Sequence, residues 1–149
     1  LKPLLSTKYP GHPVVIISDP AGTQRAQTDE RSVIEVLKSE GFTVFPARTN
    51  TISARIAAVE NLLSGQIDGE PRHLISPNCK KLIKALSGGY RYKLRSNQEQ
   101  DDKPEKNFYS HIAEAHQYAC LHVDQIFGGL YSLRRQRRDI VPAMARGWT

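Results

Sequence analysis

The chain alternates between short runs of consecutive apolar residues and segments in which apolar residues recur every three or four positions. Residues 14–17 are all β-branched and end at a polar turn, which is typical of a strand buried on both faces. Thr28, a good N-cap, then opens a helical pattern that ends at Gly41. The beginning of the chain therefore predicts a strand followed by a helix.

The same order repeats once. Residues 42–45 predict a second short strand, and residues 53–65 predict a helix that ends at its terminal glycine. Strand, helix, strand and helix in this order predict an α/β domain with at least one parallel strand pair joined by a right-handed crossover. Further along, residues 73–75 predict a short strand and residues 78–86 a short helix.

The remaining chain is more polar. Residues 90–94 alternate as a strand does, whereas residues 96–106 are charged and predict a surface loop. The longest helix is predicted over residues 109–127, ending at Gly128 and Gly129. The predicted buried face of this helix consists of Ile112, Ala115, Ala119, Val123 and Ile126.

These patterns predict one domain over residues 1–128 and a basic tail over residues 129–149, the tail containing the arginine-rich stretch 134–138. A length of 149 residues with 39% hydrophobic residues suits a single core. The tail is interpreted either as a DNA-contacting arm or as an exposed basic tail without a partner.

Charge and cysteine content narrow the function classes. A net charge of +6 favours a polyanionic partner such as nucleic acid, although a soluble basic protein without such a partner fits equally well. Cys79 and Cys120 lack CxxC spacing, which argues against a structural zinc site and a disulfide framework and favours a reducing compartment. No apolar run predicts a membrane span or a signal peptide, so the chain is interpreted as intracellular.

Three residues are candidates for chemistry. Asp19 follows the first strand, at the edge where open α/β sheets bind ligands, although it is also a common turn residue before proline. Glu114 shares a polar stripe of the long helix with His111 and Tyr118; near Asp19 it would supply the second oxygen ligand of a hard divalent cation, and otherwise it is a solvated glutamate. His111 either orients a phosphate and moves a proton or simply stabilises the helix start.

Basic residues at loops and element ends could neutralise phosphates, with Tyr90, Tyr92 and Tyr109 among them to pack on sugars or bases. These basic residues are Arg25, Arg48, Arg55, Lys93, Arg95 and Lys106. Each of them is also compatible with a solvated charge. His116, His122 and Asp124 form no HExxH pattern, so zinc binding is weakly indicated, and Cys120 is interpreted as structural.

Several segments resemble, in the same order, the conserved segments of phage terminase large subunits. They are DPAGTQR with TDE at 19–30, PARTN at 46–50, RIAAV at 55–59, CKKL at 79–82, GGYRY at 88–92 and PEKNFYSHIAEAHQY at 104–118. The resemblance covers roughly residues 13–120. The ordered set is far more specific than any one of its segments.

The resemblance implies an RNase H-like fold, a mixed sheet flanked by helices, in which three acidic residues bind Mg²⁺ or Mn²⁺ and hydrolyse DNA. It assigns Asp19 as the acid after the central strand and Glu114 as the acid on the late helix, where many members have aspartate. The family's first acid lies in an N-terminal three-stranded meander that nothing before Val14 matches. Residues 1–9 instead resemble the end of the helix that follows it, so the N-terminal strands are expected to be missing and the chain to be a fragment.

The sequence therefore predicts the metal-dependent endonuclease (hydrolase) part of a bacteriophage or prophage terminase large subunit, which cleaves concatemeric double-stranded DNA during packaging. Asp19 and Glu114 would bind the metal, and His111 and Lys106 would assist at the phosphate. The implied partners are double-stranded DNA, the terminase small subunit and the portal protein, in the host cell cytoplasm. The alternatives are a catalytically inactive DNA-binding or assembly module, such as a prophage remnant, and another RNase H-like nuclease such as a junction resolvase.

Overall fold

The computed structural model describes residues 1–23, 31–94 and 99–139, and its amino-terminal half is built around a parallel strand pair. β1 (Val15–Ser18) pairs with β2 (Thr43–Pro46), so that Ile17 lies beside Phe45. The predicted parallel pair is thereby confirmed. The predicted burial of the first strand on both faces is wrong, because Val15 is 48% exposed and the other residues of β1 are only partly buried.

Three helices accompany these strands. α1 (Lys2–Lys8) confirms the helix expected within residues 1–9. α2 (Val33–Ser39) begins later than predicted, because Ser32 forms a capping box in which its hydroxyl accepts the Glu35 N–H and the Glu35 carboxylate accepts the Ser32 N–H. The predicted cap, Thr28, lies outside the described residues. α3 (Ile52–Ser64) ends before Gly65, as its periodicity predicted.

A tight hairpin follows α3. β3 (Gln66–Ile67) and β4 (Glu70–Pro71) pair antiparallel through Asp68 and Gly69, both of which have positive φ angles. The Asp-Gly dipeptide favours this turn, since glycine has no side-chain penalty there. The strand predicted at 73–75 is absent from the described residues, where these positions form a loop after β4.

The next segment leads to a second antiparallel pair. α4 (Lys80–Lys84) runs into a π-helical turn (Ala85–Gly89), and β5 (Tyr92–Leu94) pairs with β6 (Gln100–Pro104). The surface loop predicted over 96–106 is therefore wrong at β6. β6 lacks the alternating apolar residues from which a strand is predicted. A strand in an exposed hairpin does not need an apolar face.

α5 (Ser110–Asp139) is longer than predicted. It continues through Gly128 and Gly129, which the prediction had taken as its end, because glycine costs a helix only about 1 kcal/mol and good helix formers follow. The helix therefore crosses the predicted boundary between domain and tail. Despite its 30 residues, neither α5 nor any other helix of the described ranges is long and apolar enough to cross a membrane.

The core lies where α3 packs against α5. Ala58, Val59 and Leu62 of α3 meet Tyr118, Cys120 and Leu121 of α5. Ile17 of β1 and Ala47, the residue after β2, pack against them. The predicted buried face of α5 is therefore displaced around the helix, since Ala115 and Ala119 are exposed whereas Ala113 and Gln117 are buried. The described residues thus form a mixed α/β structure with five α-helices and three two-stranded sheets.

Replacing Leu62 with alanine should destabilise the protein by about 2–5 kcal/mol, because the side chain is 3% exposed and its loss leaves a cavity between α3 and α5. The matched control is Leu63→Ala one residue further, where the side chain is 44% exposed and the expected change is under about 1 kcal/mol. Urea unfolding followed by circular dichroism measures both. Equal losses in the two variants would contradict this account of the core.

Candidate functional site

Asp19 connects the end of β1 to α5. One carboxylate oxygen, Oδ1, accepts the Ala21 N–H at 2.8 Å and so stabilises the turn after the strand. The other, Oδ2, accepts the Tyr118 hydroxyl at 2.8 Å. Asp19 is therefore the turn residue that its proline neighbour suggested, and it also contacts a side chain of the late helix.

Tyr118 is the buried centre of this arrangement. Its hydroxyl oxygen also lies 2.6 Å from the side-chain oxygen of Asn50. A phenol has one proton, so when Tyr118 donates to Asp19, the second contact is satisfied with the Asn50 amide turned to donate its N–H to the phenol. Burial and then the hydrogen bond to Asp19 raise the pKa of Tyr118 to about 12, which keeps the phenol neutral.

Arg55 lies beneath Tyr118. Its guanidinium carbon is 4.7 Å from the centre of the Tyr118 ring, a cation–π distance, and the residue is 4% exposed. Within the described residues, its Nε has no hydrogen-bond partner. The burial of Arg55 favours a role in supporting the carboxylates over the direct DNA contact predicted for it.

Glu114 lies one helical turn before Tyr118, on the same side of α5. Its Oε1 accepts the Tyr90 hydroxyl at 3.1 Å and pairs with the Lys106 ammonium. Burial and then the charge of Glu114 raise the pKa of Tyr90 to about 12. Because its carboxylate has these two partners and its side chain is 19% exposed, Glu114 is not simply a solvated helical glutamate.

We call this set the carboxylate network. It comprises Asp19, Asn50, Arg55, Tyr90, Lys106, Glu114 and Tyr118. Both acids act on Tyr118, since the negative charge of Glu114 as well as that of Asp19 raises its pKa. The two predicted metal ligands therefore lie on the same side of α5, because Tyr118, which contacts Asp19, is one helical turn from Glu114.

The other predicted site residues lie around or outside this network. His111 is exposed in the first turn of α5, and Arg48 is exposed after β2. Lys93 pairs with Glu105 at 3.5 Å. Arg25 lies outside the described residues, as does Arg95. The structure therefore leaves His111 and Arg48 accessible to a ligand, without bringing them into the network.

A second cluster was missed by the sequence reasoning. Three side chains that could bind a metal ion lie close together: His73, His116 and Cys120. They form the one such group within the described ranges. Burial, followed by the charge of Asp124, raises the pKa of Cys120 to about 11, and burial followed by His73 lowers that of His116. The spacing of His116 and Cys120, one helical turn apart, was the available signal; His73 comes from a distant loop that no pattern connects to them.

Comparison with known proteins adds no identification: no family model, no curated protein and no solved structure matches this chain.

The raised pKa values predict how the protein responds to alkaline solution. A tyrosine whose pKa is raised by folding contributes stability that is complete below its ordinary pKa of 10.0 and is lost as the pH rises towards about 12. Ultraviolet titration of tyrosinate should therefore show two tyrosines ionising near pH 12 in the folded protein. Tyr118→Phe and Tyr90→Phe should each remove one of them.

The control for this titration is Tyr9→Phe, which changes an exposed tyrosine outside the network. It should leave both late-ionising groups in place. If the Tyr118→Phe and Tyr90→Phe variants retained two late groups, the assignment of the raised pKa values to the network would be wrong.

Proposed function

We propose that the carboxylate network is the cleavage site of a divalent-metal-dependent DNA endonuclease of the terminase large-subunit type. The observation that carries this proposal is the convergence of the network. Its residues come from five of the six segments that resemble terminases, those at 19–30, 46–50, 55–59, 88–92 and 104–118. A shared site explains why segments far apart in sequence contribute polar residues to one side of α5.

The donor set fits Mg²⁺ or Mn²⁺. Asp19 and Glu114 offer carboxylate oxygens, and Mg²⁺ is commonly bound by one or two carboxylates together with water and substrate phosphate. When bound, such a metal polarises the phosphoryl oxygen and favours an attacking hydroxide. Tyr118 orients Asp19 through its hydrogen bond, and buried Arg55 packs against the ring of Tyr118.

Other residues of this chain would act on the DNA. Lys106 is 72% exposed at its side chain and pairs with Glu114, so it can turn from that carboxylate to a phosphate when a metal takes its place. His111, one turn before Glu114, is exposed and can give a proton to the leaving oxygen. Arg48 and Lys93, with the net charge of +6, would hold the phosphate backbone without reading sequence.

The parallel pair β1–β2 would be the central part of an RNase H-like mixed sheet, with Asp19 at its carboxyl edge. Double-stranded DNA, the terminase small subunit and the portal protein are the partners that this function implies. The host cell cytoplasm is the place in which packaging would occur.

A second function is favoured by a specific observation. Within the described part of the chain, no third acidic, histidine or cysteine side chain joins Asp19 and Glu114 in a close group. Two-metal hydrolysis normally needs a carboxylate that bridges the ions. With two acids in the described part of this surface, it also suits a module that binds DNA without cutting it.

The test is Mn²⁺-dependent cleavage of supercoiled plasmid by the wild-type chain and by variants of the two acids. Asp19→Asn and Glu114→Gln should each lower the rate by about 100-fold or more, since losing a metal ligand costs more than losing an outer-shell partner. Glu114→Asp keeps the charge and should retain measurable cleavage. Glu60→Gln, an exposed acid on α3 outside the network, is the control and should leave the rate unchanged.

Wild-type cleavage that persists in both acid variants would overturn the assignment of the site. If the wild-type chain binds plasmid in a salt-dependent manner and never cuts it, the DNA-binding function replaces the nuclease. Folding of each variant is checked by circular dichroism, so that a loss of activity is not a loss of structure.

A further inference from the structure

A soft-ligand cluster lies on α5, apart from the carboxylate network. His116 and Cys120 are one helical turn apart and therefore project side by side. His73, in the loop after β4, approaches them from outside the helix. Cys120 is 3% exposed and both histidines are partly buried, so the three side chains meet at the edge of the core.

The distances suit one shared ion. The Nε2 atoms of His73 and His116 are 3.0 Å apart, His116 Nε2 is 3.4 Å from Cys120 Sγ, and the three ligand atoms lie within 4.8 Å of one another. With metal–nitrogen bonds of about 2.0 Å and a metal–sulfur bond of about 2.3 Å, tetrahedral ligands stand about 3.3 Å apart for nitrogen pairs and about 3.5 Å for nitrogen and sulfur. Small side-chain shifts would therefore complete the coordination geometry.

Hydrogen bonding alone accounts for the cluster less well. His116 Nε2 faces both His73 Nε2 and Cys120 Sγ. An imidazole nitrogen carries either one hydrogen or one lone pair, so it cannot make a good hydrogen bond to both neighbours. A cation at the centre satisfies all three ligand atoms together.

The chemistry of the ligands selects the metal. Two imidazoles and one thiolate suit Zn²⁺ and its analogue Co²⁺, whereas Mg²⁺ and Mn²⁺ prefer the oxygens offered by Asp19 and Glu114. Three protein ligands leave one tetrahedral position for water. Binding converts the Cys120 thiol to a thiolate and releases its proton to solvent.

The surroundings support the site. Asp124, one turn beyond Cys120, lies 3.9 Å from the guanidinium of Arg72, the residue before His73. This ion pair holds the loop against α5 beside the cluster, which reduces the ordering that metal binding requires. The backbone N–H of Arg72 donates to the Gly65 carbonyl at 3.0 Å, and this hydrogen bond connects the loop to the end of α3.

We propose that His73, His116 and Cys120 form a binding site for one Zn²⁺-class ion, which cross-links the loop after β4 to α5. The site is separate from the proposed nuclease centre in both residues and metal preference. It supplies a fixed point for the loop between the β3–β4 hairpin and α4, a stretch with few regular backbone hydrogen bonds of its own.

The test is a titration of the tag-free, reduced chain with Co²⁺. One equivalent should produce ligand-field bands in the visible and a thiolate-to-cobalt charge-transfer band in the near ultraviolet, and Zn²⁺ should abolish both. His73→Asn and Cys120→Ser should weaken binding by more than about tenfold, because a ligand contributes at least as much as an outer-shell partner. A titration without the charge-transfer band would overturn the proposal.

Matched variants make the assignment specific. Cys79→Ser and His12→Asn alter an exposed cysteine and an exposed histidine elsewhere, and both should retain full Co²⁺ binding. The Asp19→Asn/Glu114→Gln double variant should also retain it, so this result is separable from the fate of the nuclease proposal. His73→Asn leaves the α3–α5 core unchanged, so unaltered binding in this variant would overturn the site even if Cys120→Ser does not fold.

Discussion

The contact between α3 and α5 places a charged side chain inside the protein. Arg55 projects from α3 under the ring of Tyr118 on α5, and a buried guanidinium is costly unless nearby groups compensate for the water that it loses. The face of the Tyr118 ring provides part of this compensation through its cation–π contact with the guanidinium. The interaction therefore links helix packing to the carboxylate network, since Tyr118 contacts both Arg55 and Asp19.

This link explains why the polar groups of the network are held so closely. Each acid is bound to a tyrosine whose hydroxyl stays protonated, so the acids have positioned donors rather than mobile water. Positioning of this kind would fix the oxygens of Asp19 and Glu114 for the proposed metal. Lys106 is the adaptable member of the network, because it is largely exposed and its long side chain can change partner.

Sequence patterns predicted the elements that depend on local signals. The strand pair and α3 were predicted within one residue of their ends, because β-branched runs and a three-to-four-residue apolar repeat reflect local geometry. β6 could not be predicted, since its pairing with β5 is tertiary and its side chains are polar. The prediction of the buried face of α5 was wrong because Gln117 is buried and Ala119 is exposed. Which side of this helix is buried depends on the elements that pack against it, and not on the hydrophobicity of its residues alone.

The residues of the candidate site also differ in whether local sequence signals predicted them. Asp19 and Glu114 were found from a strand end, a helix stripe and a family resemblance, whereas the roles of Asn50 and Tyr90 needed the three-dimensional contacts. The cluster of His73 with His116 and Cys120 was not predicted, because CxxC and HExxH spacings were the signals expected of a zinc site. A ligand set that joins a loop to a helix 43 residues away carries no such spacing.

The carboxylate network and the cluster of His73, His116 and Cys120 lie on opposite borders of the buried face of α5. At about 100° per residue, Glu114 and Tyr118 lie along one border of the buried stripe, and His116 and Cys120 lie along the other. Contacts at both borders oppose rotation of the helix about its own axis in either direction. Rotation of α5 about its axis would therefore change the contacts of the carboxylate network and those of the His73, His116 and Cys120 cluster at the same time.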